Sequence, residues 1–466
     1  MRTEEYLHIL TDQVRCKMAR DEIQDEIRGH IEDQTAAYLS EGMEPDQAEE
    51  MAVHEMGDPV EVGQDMDRIH RPKMAWGMIA LITILSIAGY VLRQIMYAIT
   101  RSIENSMPVD LSAPGISSGW YTRFELPMLL LGLALMIGIC YVDYTRIAKR
   151  ARELMVGYLI LILLGISFLG GSVNGARRWI VVGGLFTMNI VNLLWLTVPL
   201  FAAILYRYRG ESYKALGKGI LWMLAVEWII LHFGGDFASA YILFLVYNTV
   251  IVAAVYKGWF QIRKKSILFG IGGITLLSPI WLTGFLLVVG KAYQKDRILA
   301  FLGMGENISY QLEICRKMLS GSSAFDGNPE FNELLTMAPS SSHLLTCVIA
   351  SYGILAGVLL AVLLVVLFLR FARISLQQRN QLGMVMGTGC TMLFLIQVVV
   401  FIAENTGIIT GFDTYCPFLG TGRSGMLASY ILLGILLSIY RYQNTAPERK
   451  FRYEKEQTHS STSFSK

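Results

Sequence analysis

Ten predominantly apolar stretches, each long enough to cross the roughly 30 Å hydrocarbon core of a bilayer, dictate what this chain can fold into. They lie near residues 74–99, 125–144, 154–173, 185–206, 216–233, 237–256, 266–290, 343–369, 382–403 and 424–440. In hydrocarbon every backbone N–H and C=O must be satisfied within its own segment, so stretches of this kind become helices. The expected fold class is all-α, a polytopic membrane protein with about ten transmembrane helices. Composition supports this: apolar residues make up 53% of the chain and charged ones only 17%, against about a quarter in soluble domains.

The charge is segregated. Residues 1–73 hold 19 Asp/Glu against 8 Lys/Arg, a net of −11, and the rest of the chain carries a net of +13. An acidic head and a basic, apolar body are different physical objects. In the head, Tyr6, Leu7, Leu10 and Val14 recur at helical spacing, as do Ile23, Ile27, Ile31 and Tyr38, which predicts a small cytosolic bundle of amphipathic helices over 1–72. Gly42 and Pro45 punctuate it, and Gly57-Asp58-Pro59 stops a helix over Ala48–Met56. This head resembles the helical prefix domains ahead of some bacterial permeases and membrane regulators. It reads either as a solvated acidic cap or as a docking module for a cytosolic partner. The charged N-terminus does not read as a signal peptide.

Alternate loops of the body are basic: Arg146, Lys149, Arg150 and Arg152; Arg207, Arg209, Lys214 and Lys218; Lys257, Arg263, Lys264 and Lys265; Arg370, Arg373 and Arg379. The positive-inside rule places these loops in the cytoplasm. Both termini then lie inside, which requires an even number of spans. The expected organisation is a head over 1–72, a membrane domain over 73–443, and a disordered cytosolic tail over 444–466. The largest outer loop, about 291–342, contains a short amphipathic stretch, Ile308–Ile314. Loops of that length are more often functional than connecting.

Several chemistries receive no support. The basic residues are scattered rather than gathered, so nucleic acid is not an expected partner. The six cysteines show no CxxC or Cys/His spacing. No metal or other cofactor is expected. Cys315 and Cys416 both fall in expected outer loops and are a candidate disulfide.

The segments at the outer span ends carry the specific signal. After the third span comes Asn174-Gly175-Ala176-Arg177-Arg178-Trp179-Ile180, and at the start of the sixth Gly235-Asp236-Phe237-Ala238-Ser239-Ala240. The large loop holds Asp296-Arg297-Ile298-Leu299-Ala300-Phe301 and then Tyr310-Gln311. The last span is preceded by Pro417-Phe418-Leu419-Gly420-Thr421-Gly422-Arg423-Ser424-Gly425. In this order, over about 74–443, these elements resemble the SEDS family (shape, elongation, division and sporulation), the FtsW/RodA/SpoVE group of ten-span bacterial peptidoglycan polymerases. The resemblance implies a lipid-linked cell-wall precursor as ligand, a class B penicillin-binding transpeptidase as partner, and a bacterial cytoplasmic membrane as location. It makes Arg177, Arg178, Asp236, Arg297 and Gln311 the candidate substrate-binding residues.

Elementary chemistry stands beside those candidates. Arg177 and Arg178 lie outside against the charge rule. An anionic diphosphate would hold them there by charge-assisted hydrogen bonds, as would snorkelling to phospholipid headgroups. Asp236 reads either as an ion-pair partner of one arginine or as the N-cap of the sixth span. Arg297 binds diphosphate or anchors its loop, and Gln311 reads as a loop-packing residue.

The pattern then breaks. The family carries an aspartate just before the eighth span, presumed to accept the proton of the acceptor hydroxyl. Here the segment is Pro339-Ser340-Ser341-Ser342-His343-Leu344. Counting back from Gly353 puts Ser342 in the aspartate's place, and counting forward from Pro339 puts Leu344 there. His343 and Glu333 are the weak substitutes for a base. The fourth span's acid and lysine are replaced around Met188–Asn192, and a two-glutamate turn has become Ala350-Ser351. The chain therefore reads as a glycan polymerase with a rearranged base, as a non-catalytic scaffold or regulator, or as a lipid flippase or transporter.

Overall fold

The computed structural model describes residues 1–106, 124–173, 176–182, 186–290, 295, 298–299, 310–337, 343–409, 412 and 414–443. Two compact units divide the chain. One comprises Met1–Ala75, Gln378–Met384 and Leu437–Lys466; the other comprises Trp76–Gln377 and Val385–Leu436.

In the first unit four helices form the head: α1 (Thr3–Gln13), α2 (Lys17–Ser40), α3 (Pro45–Glu55) and α4 (Pro59–His70). The periodic apolar residues become its core, with Tyr6, Leu7, Leu10, Val14, Ile23, Ile27, Ile31, Ala52 and Val53 buried. Helix α3 begins at Pro45, three residues before the expected start at Ala48. Proline's fixed φ and missing N–H suit the first helical turn, so it opens this helix rather than breaking it. Gly42 (φ 94°) ends α2, with Met43 N–H donating to the Tyr38 carbonyl and Gly42 N–H to that of Leu39, a Schellman cap. Asp58 caps α4 by accepting from Val60 N at 2.7 Å. Helices α1 and α4 cross closely at Gly63, where a Cβ would stand 2.6 Å from the Leu10 carbonyl oxygen. After the head, Lys73 N–H donates to the Arg441 carbonyl at 3.2 Å, and Gln378 Nε2 donates to Gln443 Oε1 at 3.5 Å.

The second unit is helical and carries the spans: α5 (Trp76–Ser106), α6 (Glu125–Tyr141), α7 (Tyr144–Lys149, a connecting turn of helix) and α8 (Ala151–Leu169). Then come α9 (Ile190–Leu194) with α10 (Thr197–Arg207), α11 (Tyr213–Ile229, extended by a π turn over Ile230–Gly234), α12 (Phe237–Tyr256) and α13 (Lys264–Val289). After α14 (Tyr310–Ser320) and α15 (Phe331–Met337) follow α16 (Leu344–Tyr352), α17 (Ile354–Leu376), α18 (Gln381–Asn405) and α19 (Arg423–Arg441). Among the described residues nine helices are long and apolar enough to cross a membrane, and α6 is a shorter apolar helix of 17 residues. These ten account for the ten expected stretches.

Apolarity alone does not rank these helices, because hydrocarbon is as good a solvent for leucine as a protein core. Close approach ranks them. The α9–α10 span, α12, α18 and α19 are largely buried, whereas α8 and α13 are mostly exposed. Gly389 of α18 lies against Val250 and Val198, and a Cβ on Gly434 of α19 would come 2.9 Å from the Met136 carbonyl oxygen. Small residues let these backbones meet, whereas Gly270, Gly272, Gly273 and Gly284 of α13 face open space with nothing within 4 Å.

Three features depart from expectation. The connection between the third and fourth spans forms an antiparallel sheet, β1 (Gly170–Val173), β2 (Ala176–Val182) and β3 (Phe186–Asn189), in that order. The third span therefore ends at Leu169 and the fourth starts at Ile190. The expected eighth span, 343–369, is two helices broken at Gly353 (φ 90°), whose neighbours Ile354 and Leu355 donate N–H to the carbonyls of Ser323 and Ala324 at 2.9 and 3.1 Å. All six cysteines are free, so Cys315 and Cys416 are not paired.

Candidate functional site

Strand β2 carries both arginines of the Ala176–Ile180 segment. Consecutive strand residues face opposite ways, so Arg177 and Arg178 are presented on opposite sides. Arg177 is exposed. Arg178 is 37% exposed at its side chain, and its Nη1 stands 3.7 Å from Oδ2 of Asp236, which is 15% exposed. Asp236 also caps α12: Oδ1 accepts from Ser239 N at 3.0 Å and Oδ2 from Ser239 Oγ at 2.9 Å. The ion pair and the N-cap are thus the same carboxylate. It is delivered by the π turn and by Gly235 in the left-handed region (φ 60°). The α12 N-terminus also favours a negative group there through its backbone dipoles.

The segment before the last span packs onto this sheet. Ser424 Oγ accepts from Asn189 N of β3 at 3.1 Å. The Tyr415 ring fills the space a side chain would need at Gly420 and Gly425, where an added Cβ would come within 2.8 and 2.5 Å of it. Trp195 meets the same ring at 5.9 Å. Phe418 takes a left-handed backbone (φ 70°) that is costly for a bulky residue. A partner compensates: Arg93 Nη1 of α5 donates to the Phe418 carbonyl at 2.6 Å. Arg93 in turn pairs with Glu125 of α6 at 3.4 Å, with the two side chains 1% and 4% exposed, and Gln94 Nε2 donates to Glu125 Oε2 at 3.2 Å. Sequence reasoning missed this pair. The available signal was a charge inside an apolar stretch, which is costly and rarely kept without use.

A second cluster is built by α14, α15 and α16. His343 immediately precedes α16 and is 9% exposed. Thr346 anchors that helix end: its N–H donates to Asn405 Oδ1 at 3.1 Å and its Oγ1 to the Asn405 carbonyl at 2.7 Å. Glu333 is exposed on α15. Gln311 is the second residue of α14, with its side chain outside the described residues, as are Ser342 and Arg297 altogether. Glu404, buried near the end of α18, accepts from Phe412 N at 3.1 Å and was also missed. On α14, burial pushes the Cys315 thiol up to about 11. Among the described residues no group of His, Cys, Asp and Glu is arranged to hold a metal ion.

The fold and these segments define a multi-pass helical membrane protein whose distinctive residues gather at the span ends. A family model described as "Cell cycle protein", FtsW/RodA/SpoVE, matches residues 87–445, and the chain belongs to this family. It is accordingly a multi-pass protein of the bacterial inner membrane. A second model, described as HAAS, matches residues 5–65 of the head. The chain is 26% identical over 320 residues to the probable peptidoglycan glycosyltransferase FtsW of Geobacter metallireducens, covering 66% of this chain and 82% of that one. It is 24% identical over 335 residues to the stage V sporulation protein E of Bacillus subtilis, covering 70% and 88%. A solved structure of a peptidoglycan synthase complex that coordinates polymerization and crosslinking contains a chain with TM-score 0.59 and 20% identity. That match covers 79% of this chain and 98% of the other. The rod shape determining protein RodA of Thermus thermophilus matches with TM-score 0.52 and 18% identity, covering 79% and 97%. These structural matches speak for the fold.

Proposed function

We propose that this protein works in bacterial cell-wall biogenesis by holding a lipid-diphosphate-linked saccharide at the outer ends of its spans, and that it does so beside a transpeptidase of the class B penicillin-binding type. The observation that carries this reading is the Arg178–Asp236 pair. A cation retained at an outer loop, with its carboxylate already engaged by Ser239, keeps donor capacity for a phosphate oxygen. Arg177, exposed on the opposite face of β2, contacts phospholipid headgroups or a second anionic group rather than the same phosphate, and Arg297 and Gln311 belong to the same reading. Relatives named as glycosyltransferases, and a neighbour from a synthase complex, support a place in glycan polymerisation. The head is the docking module for a cytosolic partner, and both termini lie in the cytoplasm.

One observation favours a second reading, a non-catalytic scaffold or regulator of the same machinery. Counted back from Gly353 the family's base position falls at Ser342, and counted forward from Pro339 at Leu344, and neither residue is a carboxylate. The test uses purified protein with lipid-linked disaccharide, alone and with a transpeptidase partner. Binding that falls about tenfold or more in Arg178→Ala is expected; unchanged binding in that variant sinks the diphosphate site. Polymer that disappears in Glu333→Gln or His343→Ala establishes the enzyme, while binding without polymer establishes the scaffold. Partner-independent passage of the lipid across proteoliposomes would replace both readings with a flippase.

A further inference from the structure

An open cleft of about 620 Å³ lies where the end of α5 meets the 327–332 segment and the end of α16. The side chains that matter are Ser102 and Ile103 of α5, Asn328 and Asn332, and Ser351 and Tyr352. Among the described residues, none lining it is charged. Its size falls within the roughly 300–1,000 Å³ of small-ligand sites.

The floor is rigid and already satisfied. Asn328 is buried; its Nδ2 donates to the carbonyls of Lys317 and Met318 at 3.0 and 3.1 Å, and its Oδ1 accepts from Glu330 N at 2.8 Å. Its backbone N–H donates to the Ala350 carbonyl at 2.8 Å. Asn328 therefore builds the cleft and has little left for a ligand. Ser351 is the opposite case: its Oγ is buried with no hydrogen-bond partner among the described residues. Ser102 and Asn332 are exposed, and Tyr352 is 47% exposed.

We infer that this cleft is a binding subsite for an uncharged saccharide. The described lining argues against three other ligand classes. A phosphate needs cations, and the lining holds none. A metal ion needs carboxylates or imidazoles, also absent from it. An acyl chain gains nothing from a hydroxyl and an amide at hydrogen-bonding positions. A pyranose ring fits this lining: hydroxyl and amide groups for Ser102 and Asn332 at the mouth, an apolar C–H face for the Tyr352 ring, and, once a rotation about its Cα–Cβ bond turns it outward, the Ser351 hydroxyl. The inference rests on the reading above and deepens it, giving the sugar of that ligand a place separate from the arginines of β2. The sugar comes either from a lipid-linked precursor or from a glycan strand, and both present the same chemistry.

The test is hydrogen–deuterium exchange on the full-length protein with triacetylchitotriose, an uncharged sugar carrying neither phosphate nor lipid. Slowed exchange confined to residues 326–332 and 350–353 is expected; no slowing, or slowing elsewhere only, overturns the subsite. Ser351→Ala and Asn332→Ala are each expected to weaken the sugar about tenfold without lowering the melting temperature. A lowered melting temperature in Ser351→Ala would mark that hydroxyl as structural and count against the proposal. Displacement of the probe by lipid-linked disaccharide identifies the precursor as source, and tighter binding of longer lipid-free glycans identifies the strand; either supports the cleft. If lipid-linked disaccharide binds through Arg178 while the probe does not bind, the subsite fails and the proposed function stands. If the probe binds and the lipid-linked form does not, the diphosphate reading fails and the subsite stands.

Discussion

Single residues in this protein do two jobs at once. Asp236 both caps α12 and faces Arg178, so the choice between a cap and an ion pair, open from the sequence, dissolves in three dimensions. Arg93 shows how a charge is kept in an apolar unit: it satisfies the Phe418 carbonyl and pairs with Glu125 while almost fully buried. Removing one partner of such a pair strands the other, which costs about 3–5 kcal/mol. Arg93→Ala is therefore expected to lower the melting temperature sharply in detergent, and the double variant Arg93→Met/Glu125→Met to recover much of the loss. A double variant no more stable than the single would show that the pair does not carry the cost. Cys315 offers a titration. Burial raises its thiol from 9.0 to about 11, so the folded state prefers the protonated form. Its contribution to stability is whole below pH 9 and is lost as pH rises through about 11. Alkylation of the native protein at pH 8 should leave Cys315 unmodified, and rapid labelling there would refute this environment.

Elements are where sequence reading and structure part company. Long apolar runs become helices because hydrocarbon leaves no other partner for the backbone. Except for the eighth stretch, split at Gly353 and running on to Leu376, most of those boundaries were legible to within a few residues. The sheet was not. Strands β1 (Gly170–Val173) and β3 (Phe186–Asn189) are four residues each, too short to show an alternation, and β2 between them ends in the apolar run Trp179–Val182 without one. The break at Gly353 is tertiary: the helix stops because the carbonyls of Ser323 and Ala324 capture the N–H groups of Ile354 and Leu355. At φ 90° an L-residue is strained, and a Cβ would lie 2.7 Å from the Phe325 carbonyl carbon. Gly353→Ala is expected to cost about 1–3 kcal/mol and to speed amide exchange at 323–328. Gly157→Ala, where nothing lies within 4 Å, is the neutral control. Equal melting temperatures for the two variants would contradict the strained turn.

At the scale of the whole molecule, the charge pattern makes a statement about orientation that cysteine labelling can check. Five of the six native thiols are buried and Cys16 is half-buried, so replacing Cys16 gives a quiet background. A cysteine at Gln261 should be labelled only from the cytoplasm, and one at Ser323 only from outside. Reversal at either position would invert the positive-inside assignment. The acidic head has its own apolar core, and its helices were readable from periodicity, apart from the use of Pro45 as a helix opener.

The ten apolar stretches, the acidic head and the family resemblance were determined by the sequence alone, because each depends on residue type and spacing along the chain. Only tertiary structure decided which helices are central, that Arg178 meets Asp236, that Arg93 holds the Phe418 turn, and that Ala350 and Ser351 line a cleft with Ser102 and Asn332. Those outcomes depend on which backbones approach closely. Close approach is a contest among distant segments for the same small residues and the same hydrogen-bond partners, and a linear pattern does not record who wins it.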